Sequence, residues 1–297
     1  MGRPHLKTNN NSIAPSDKTG VRIQKALAQM GIGSRRAIER AIQEQKVLVN
    51  DRLATIGQPI SCSDKIIFEG KLVKFDSNLS LPRILIYHKP DGEIVSENDP
   101  KGRPTVFENL PKIKQAKWIA IGRLDFNTSG LLIFTSYGEL ANRFMHPRYE
   151  IEREYSVRIL GELTSDDLNA LTKGVNLDDG VAKFESISFQ GGEGVNHWYQ
   201  VVLKEGRNRE IRRMFESFGV TVSRLIRIRF GNIKLPPHVK RGMSIELGQN
   251  EVRKILKNFE IDSNDFIQTQ IEIKKDKIYK SSKRRKNWFK IYSSLVS

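Results

Sequence analysis

The sequence predicts an α+β protein with a small N-terminal domain ahead of a larger one built on a mixed or antiparallel sheet. Two observations carry this. Short apolar strand candidates outnumber helices and cluster as hairpin-like neighbours, with the helices set apart from them. No strand–GxGxxG–helix unit occurs, so a dinucleotide-type parallel fold is not expected; GGEG (191–194) reads as a turn. The length, 297 residues, fits two domains.

The elements follow in chain order. Residues 1–20, polar and rich in Asn, Ser, Pro and Gly, read as a flexible arm. The small domain spans 21–75. Ile23, Leu27 and Met30 recur at helical spacing until Gly31 breaks the helix. Ser34 is an N-cap for a second helix, whose inner face is Ala37, Ile38, Ala41 and Ile42. Strands at 47–50 and 65–70 follow, with turn chemistry at Asn50-Asp51. DSNLSLP (76–82) reads as a linker into a domain spanning 83–250. There, strands are expected at 83–88, 118–124, 131–136, 154–160, 198–205 and 223–231. Ser136 with Glu139 suggests a capping box, and so does Thr164 with Asp167, whose helix Gly174 should end. A third helix is expected over about 208–218 and a short one over 251–259. The remainder of 251–297 is a basic tail holding Tyr279, Trp288 and Phe289, either a solvated extension or an RNA-gripping one.

Composition narrows the function. Fifty Lys and Arg against 34 Asp and Glu give a net charge of +16, which points to a polyanionic partner, nucleic acid above all, unless the charge serves solubility alone. The lone cysteine, Cys62, excludes an internal disulfide, and five scattered histidines exclude zinc fingers. No apolar run reaches the roughly 18 residues a membrane span requires. A cytoplasmic protein with no membrane partner is expected.

The chemistry concentrates in GRLDFNTSGLL (122–132). Asp125 sits in a loop between apolar strands, either as an accessible carboxylate on rigid flanks or as an Asx turn capping backbone amides. On the helix near 208–218, Ile211, Met214, Phe215 and Phe218 share a face, with Arg209, Arg213 and Glu216 nearly opposite. Arg212 falls at the border, where its stem can be buried while its guanidinium meets a half-buried carboxylate. The cluster Arg207, Arg209, Arg212 and Arg213 is also dense enough for phosphate binding. Tyr155 opens an apolar strand face and could meet either the core or a base. No Ser-His-Asp arrangement, paired-histidine spacing or P-loop is present, and His146 before Pro147 reads as a helix end.

These segments carry a resemblance. Residues 83–250 resemble the bacterial ribosomal RNA pseudouridine synthases of the small-subunit-A and large-subunit-B, E and F group. GRLDFNTSGLL matches the group's catalytic motif, Lys89-Pro90 its K-P pair, REYSV (153–157) its tyrosine strand and EGRNREIRRM (205–214) its arginine motif. Residues 21–70 resemble an S4-like RNA-binding domain with Ser34-Arg35-Arg36 at its basic helix start, except that Gln45 stands where a Gly is usual. GRPTVFENLP (102–111), GGEGVNHWY (191–199) and VSRLIRIRFGNIKLP (222–236) look like the branch that modifies large-subunit RNA.

The resemblance implies isomerisation of one uridine of 23S rRNA, near the peptidyl-transferase region, with no cofactor or metal; a monomer is expected. It implies Asp125 as the catalytic aspartate, Arg212 as its partner and Tyr155 as the residue stacked on the uracil. Arg35, Arg36, Lys89, Arg123, Arg207, Arg209 and Arg213 would then contact RNA. A sister synthase for another 23S or 16S uridine, or a non-catalytic RNA-binding or ribosome-assembly factor, is the alternative.

Overall fold

The structure is a computed structural model that describes residues 21–61, 63–73, 81–113 and 116–261. The arm 1–20, Cys62, most of the 76–82 linker and the tail from 262 on lie outside the described residues. Contacts divide the chain into two units between Phe75 and Asp76.

The first unit runs β1 (Val21–Arg22), α1 (Ile23–Gln29), α2 (Arg35–Gln43), β2 (Val47–Val49), β3 (Arg52–Leu53), β4 (Pro59–Ile60), β5 (Ile66–Phe68) and β6 (Lys71–Val73). Gly31, at φ 74°, ends the first helix, and Ser34 Oγ accepts the Ala37 N–H at 3.2 Å to start the second. Ile23, Leu27, Ile38, Ala41 and Ile42 meet Val47, Val49 and Ile66 in one core, and each large apolar side chain so buried contributes about 1.5–3 kcal/mol. Gln45 takes a left-handed φ of 57°, which explains why this position suits the Gly of related domains. Asn50 and Asp51 are also left-handed and turn β2 back onto β3.

The second unit runs β7 (Ile84–Lys89), β8 (Ile119–Ile121), β9 (Ser129–Thr135), α3 (Gly138–Met145), β10 (Arg153–Leu160), α4 (Ser165–Lys173), β11 (Val175–Leu177), β12 (Gly180–Ala182), β13 (Ser186–Glu193), β14 (Asn196–Leu203), α5 (Glu210–Glu216), β15 (Thr221–Phe230), β16 (Ile233–Lys234), β17 (Ser244–Glu246) and α6 (Gln249–Asn258). Nine strands form one mixed sheet in the order β13-β14-β10-β15-β9-β7-β17, with β8 on β9 and β16 on β15. The β15–β9 pair is parallel; the others are antiparallel.

The side-chain pattern follows from what covers each strand. On β7 and β9 both faces are buried: Leu85, Tyr87, Leu132 and Phe134 join one core, while Ile84, Ile86, Leu131 and Ile133 join another beneath α3 and α6. On β10 only Tyr155, Val157 and Ile159 turn inward, and strict alternation results.

Three expectations are corrected. GGEG is not simply a turn, because Gly191, Gly192 and Glu193 belong to edge strand β13 and only the following residues reverse the chain. The Ser136–Glu139 capping box does not form: Ser136 Oγ accepts the Arg83 N–H at 2.9 Å and α3 starts after Tyr137. The 208–218 helix is shorter, Glu210–Glu216, because Arg209 is left-handed and Ser217 ends it. The Thr164–Asp167 box forms, and Gly174, at φ 128°, stops its helix.

Gly130 fixes the parallel junction. It pairs with Arg227 at φ 105°, and a Cβ there would lie 2.6 Å from the Arg227 nitrogen. Neither backbone can retreat without breaking the sheet. Gly130→Ala is therefore expected to cost about 2–4 kcal/mol of stability. A urea midpoint equal to wild type's would show that the strands are not held this closely.

Candidate active site

A cleft of about 600 Å³ opens in the second unit, with Asp125, Tyr155, Arg123, Arg209 and Arg227 among the residues lining it. Asp125 lies on the loop joining β8 to β9, entered through Gly122 at φ 78°. The loop closes on its own backbone through the Thr128 N–H, which donates to the Asp125 carbonyl at 3.1 Å, and the segment after β7 joins it through the Gly92 N–H, which donates to the Phe126 carbonyl at 2.9 Å. No hydrogen bond or ion pair engages the Asp125 carboxylate among the described residues. The side chain is exposed, so the Asx-turn alternative is not the one adopted.

Two buried cations hold this loop. Lys89, at the end of β7, is 0% exposed; its Nζ donates to the carbonyls of Thr128 and Pro90, both at 2.9 Å. Arg212, on α5, is also buried, and donates from Nη2 to the Asn127 carbonyl at 2.7 Å and from Nη1 to the Val222 carbonyl at 2.8 Å. Both expectations for these residues change. Lys89, expected at the RNA, is sealed beneath the loop because unpaired backbone carbonyls demand a donor there. Arg212, expected to aim at a carboxylate, bonds carbonyls instead and feels Asp125 only as a nearby charge. Burial lowers the Arg212 guanidinium below its ordinary value, while the Asp125 charge acts in the opposite direction.

The remaining arginines separate by engagement. Arg213 forks onto Asp179 at 2.8 and 2.9 Å. Arg207 meets Glu205, Asp179 and Glu210 at 2.9, 3.1 and 3.3 Å. Both are thus committed to acids within the chain rather than offered freely to phosphate. Arg123 and Arg209 stand exposed at the cleft, and Arg209 meets an equally exposed Glu216 at 3.3 Å. Arg35 and Arg36 are exposed at the start of α2 in the other unit.

Tyr155 is 8% exposed, with its side chain between the core and the cleft. Two further arginines escaped the sequence reading. Arg227 is 2% exposed and lies over the Phe230 ring at 4.9 Å. Arg153 lies over the same ring at 4.8 Å and donates to the Glu205 carbonyl at 3.0 Å. Burial lowers both guanidinium groups, and Tyr155 opposes the shift in each. The available signal was the alternation in SRLIRIRF, which puts Arg227 on the inward face with Leu225.

The fold and this cleft define an RNA-modifying enzyme of the pseudouridine synthase class: the RNA pseudouridylate synthase family profile matches residues 83–217 and the S4 domain profile residues 21–66. The chain belongs to that family and is a pseudouridine synthase, an isomerase. It is 46% identical to ribosomal large subunit pseudouridine synthase B of Yersinia pestis over 269 residues, 90% of this chain and 85% of that protein. It is 52% identical to the protein of the same name in Escherichia coli strain K12 over 229 residues, 76% of this chain and 79% of that one. A solved pseudouridylate synthase structure superposes with a TM-score of 0.55 at 25% identity, covering 79% of this chain and all but 1% of that one. No helix among the described residues is long and apolar enough to cross a membrane.

The clamp has a pH signature. Burial brings the Lys89 ammonium from 10.5 to about 8, against the attraction of Glu93, Asp91 and Asp125. Between about 8 and 10.5 the unfolded chain holds this proton and the folded protein does not, so the Lys89 contribution to stability rises with pH there and is flat below. The difference in unfolding free energy between wild type and Lys89→Met, measured by urea titration, should be constant up to about pH 8 and then move in favour of wild type. A difference flat to pH 10.5 would mean that Lys89 is as basic folded as unfolded.

Proposed function

We propose that this protein converts one uridine of 23S rRNA, in the peptidyl-transferase region, to pseudouridine, with Asp125 as the catalytic carboxylate. The observation that carries the reading is the free Asp125 carboxylate in a nucleotide-sized cleft, on a loop whose carbonyls are fixed from beneath. The 23S assignment is supported by the two large-subunit synthases B at 46% and 52% identity.

The reaction is an isomerisation. The bond from N1 to the ribose C1′ breaks, the uracil turns, a bond from C5 to C1′ forms, and the C5 proton leaves while N1 gains one. Asp125 acts on the ribose, by attack at C1′ or by removing a ribose proton. Either route needs a carboxylate not already bonded within the protein, and a position held to a fraction of an ångström. Lys89 and Arg212 supply the position through the loop backbone, so Arg212 is a positioning residue. Tyr155 offers a ring for the displaced base to stack on. The exposed Arg35, Arg36, Arg123 and Arg209 hold the RNA backbone, offsetting the few kcal/mol of unstacking that exposes the target base. The protein acts as a monomer, in the cytoplasm, with no metal or organic cofactor.

Asp125→Asn should abolish tritium release from 5-labelled uridine RNA while RNA binding persists; turnover near wild type would end the catalytic assignment. Arg212→Ala should lower kcat about 100-fold, as a misplaced reacting group does, whereas Arg36→Ala should raise KM with kcat retained. Equal effects on kcat and KM in the two variants would make Arg212 a phosphate contact. Comparing pseudouridine maps of rRNA with and without the gene identifies the target uridine.

A further inference from the structure

The inner wall of the cleft holds a guanidinium with one buried nitrogen that the described residues leave unpartnered. Arg227 stands on β15 directly across from Tyr155 on β10 and lines the cleft. Its Nε donates to the Leu131 carbonyl at 2.7 Å, and Phe230 lies under its plane. The Tyr155 side chain also interacts with the guanidinium, but Nη2 is buried without a partner among the described residues. Thr128 repeats the pattern in the same cleft: it is 2% exposed and its Oγ1 is buried without a partner. Buried polar groups are nearly always paired, and an unpaired donor is costly. Two such groups in one cleft, beside the free carboxylate, mark where an acceptor from outside the chain belongs.

The kind of acceptor follows from the placement. The exposed cations suited to phosphate, Arg123 and Arg209, are far more accessible than Arg227. Arg227 is anchored within the sheet, facing the space that Tyr155 borders. A neutral ring oxygen fits that position.

Building on the pseudouridine synthase reading of this cleft, we propose that Arg227 recognises the target base, its Nη edge donating a hydrogen bond to a carbonyl oxygen of the uracil ring. The symmetry of the reaction favours such a donor. Turning uracil over about the line from N3 to C6 exchanges N1 with C5 and, at the same time, O2 with O4. One fixed donor therefore meets a carbonyl oxygen both before and after the turn. Cytosine keeps O2 but carries an amino group at C4, which would set donor against donor in one of the two orientations. Arg227 thus retains the ring through the step in which it is detached from the sugar, and selects uracil over cytosine.

The test uses the full-length protein and fragments of its mapped rRNA target carrying uridine, 2-thiouridine or 4-thiouridine at the modified position. Single-turnover conversion is followed by nuclease digestion and chromatography. Sulfur accepts a hydrogen bond more weakly than oxygen, so each thio substitution should slow wild type about tenfold. Arg227→Lys should convert the uridine RNA slowly and show no additional loss with either thio RNA. Unchanged wild-type rates on both thio RNAs would overturn the proposal, and that result needs no variant to fold. Equal fold-losses in wild type and Arg227→Lys would overturn it as well, because they place the sulfur effect elsewhere. Failure of wild type to convert the uridine RNA is a separate result and would sink the synthase reading itself.

Discussion

The Asp125 loop depends on two buried cations that bond backbone rather than carboxylate. Lys89 reaches it from β7 and Arg212 from α5, and between them they hold the carbonyls of Thr128 and Asn127. Each bond is charge-assisted and so stronger than an ordinary amide contact. Burying a cation costs several kcal/mol, which the carbonyls offset only while the geometry is kept. The loop therefore has one acceptable conformation. In it Asp125 projects outward with its carboxylate uncommitted, yet attracts both Lys89 and Arg212 through space. An ion pair with Arg212 would have fixed the same side chain by occupying its carboxylate.

That clamp requires the sheet to bring distant segments together. Strand β9 begins where the loop ends, and its first residues pair in parallel with β15 through Ser129 and Gly130. The absence of a side chain at Gly130 lets the two backbones close, and the closure sets Arg227 against the cleft. Helix α5 is held against β15 by Ile211, Met214 and Phe215 in the core, which turns Arg212 toward the loop. The cleft is thus a product of strand order: β10, β15 and β9 are neighbours in space although their residues are separated by long stretches of chain.

Much of this was legible in the sequence, for identifiable reasons. Strand β10 and the helix after Thr164 announce themselves through alternation and a capping box, both local signals. The Asp125 loop is legible because Gly122, Asp125 and Gly130 occur at motif spacing. What was not legible is where charge goes once the chain closes on itself. A lysine before a proline at a strand end, Lys89, reads as exposed, and only carbonyls nearly forty residues away bury it. Strand β13 was hidden because Gly191 and Gly192 carry no alternation; pairing with β14 makes it a strand. Ser136 could cap a helix or accept from Arg83, and the second partner lies 53 residues off.

The same distinction changes what the net charge of +16 means. Arg207 and Arg213 are engaged by Asp179, Glu205 and Glu210, and Arg229 by Glu152 and Glu154. Lys89 and Arg212 are occupied by carbonyls, and Arg153 and Arg227 flank the Phe230 ring. These charges count toward the pI but present little to a polyanion. The cations left open to RNA in the described units include Arg35, Arg36, Arg123 and Arg209, and mobile ions screen such exposed charges effectively. The buried set is shielded from salt by burial. Raising ionic strength should therefore loosen the hold on RNA while the geometry around Asp125 persists, because the exposed arginines and those that hold the Asp125 loop are different members of one basic chain.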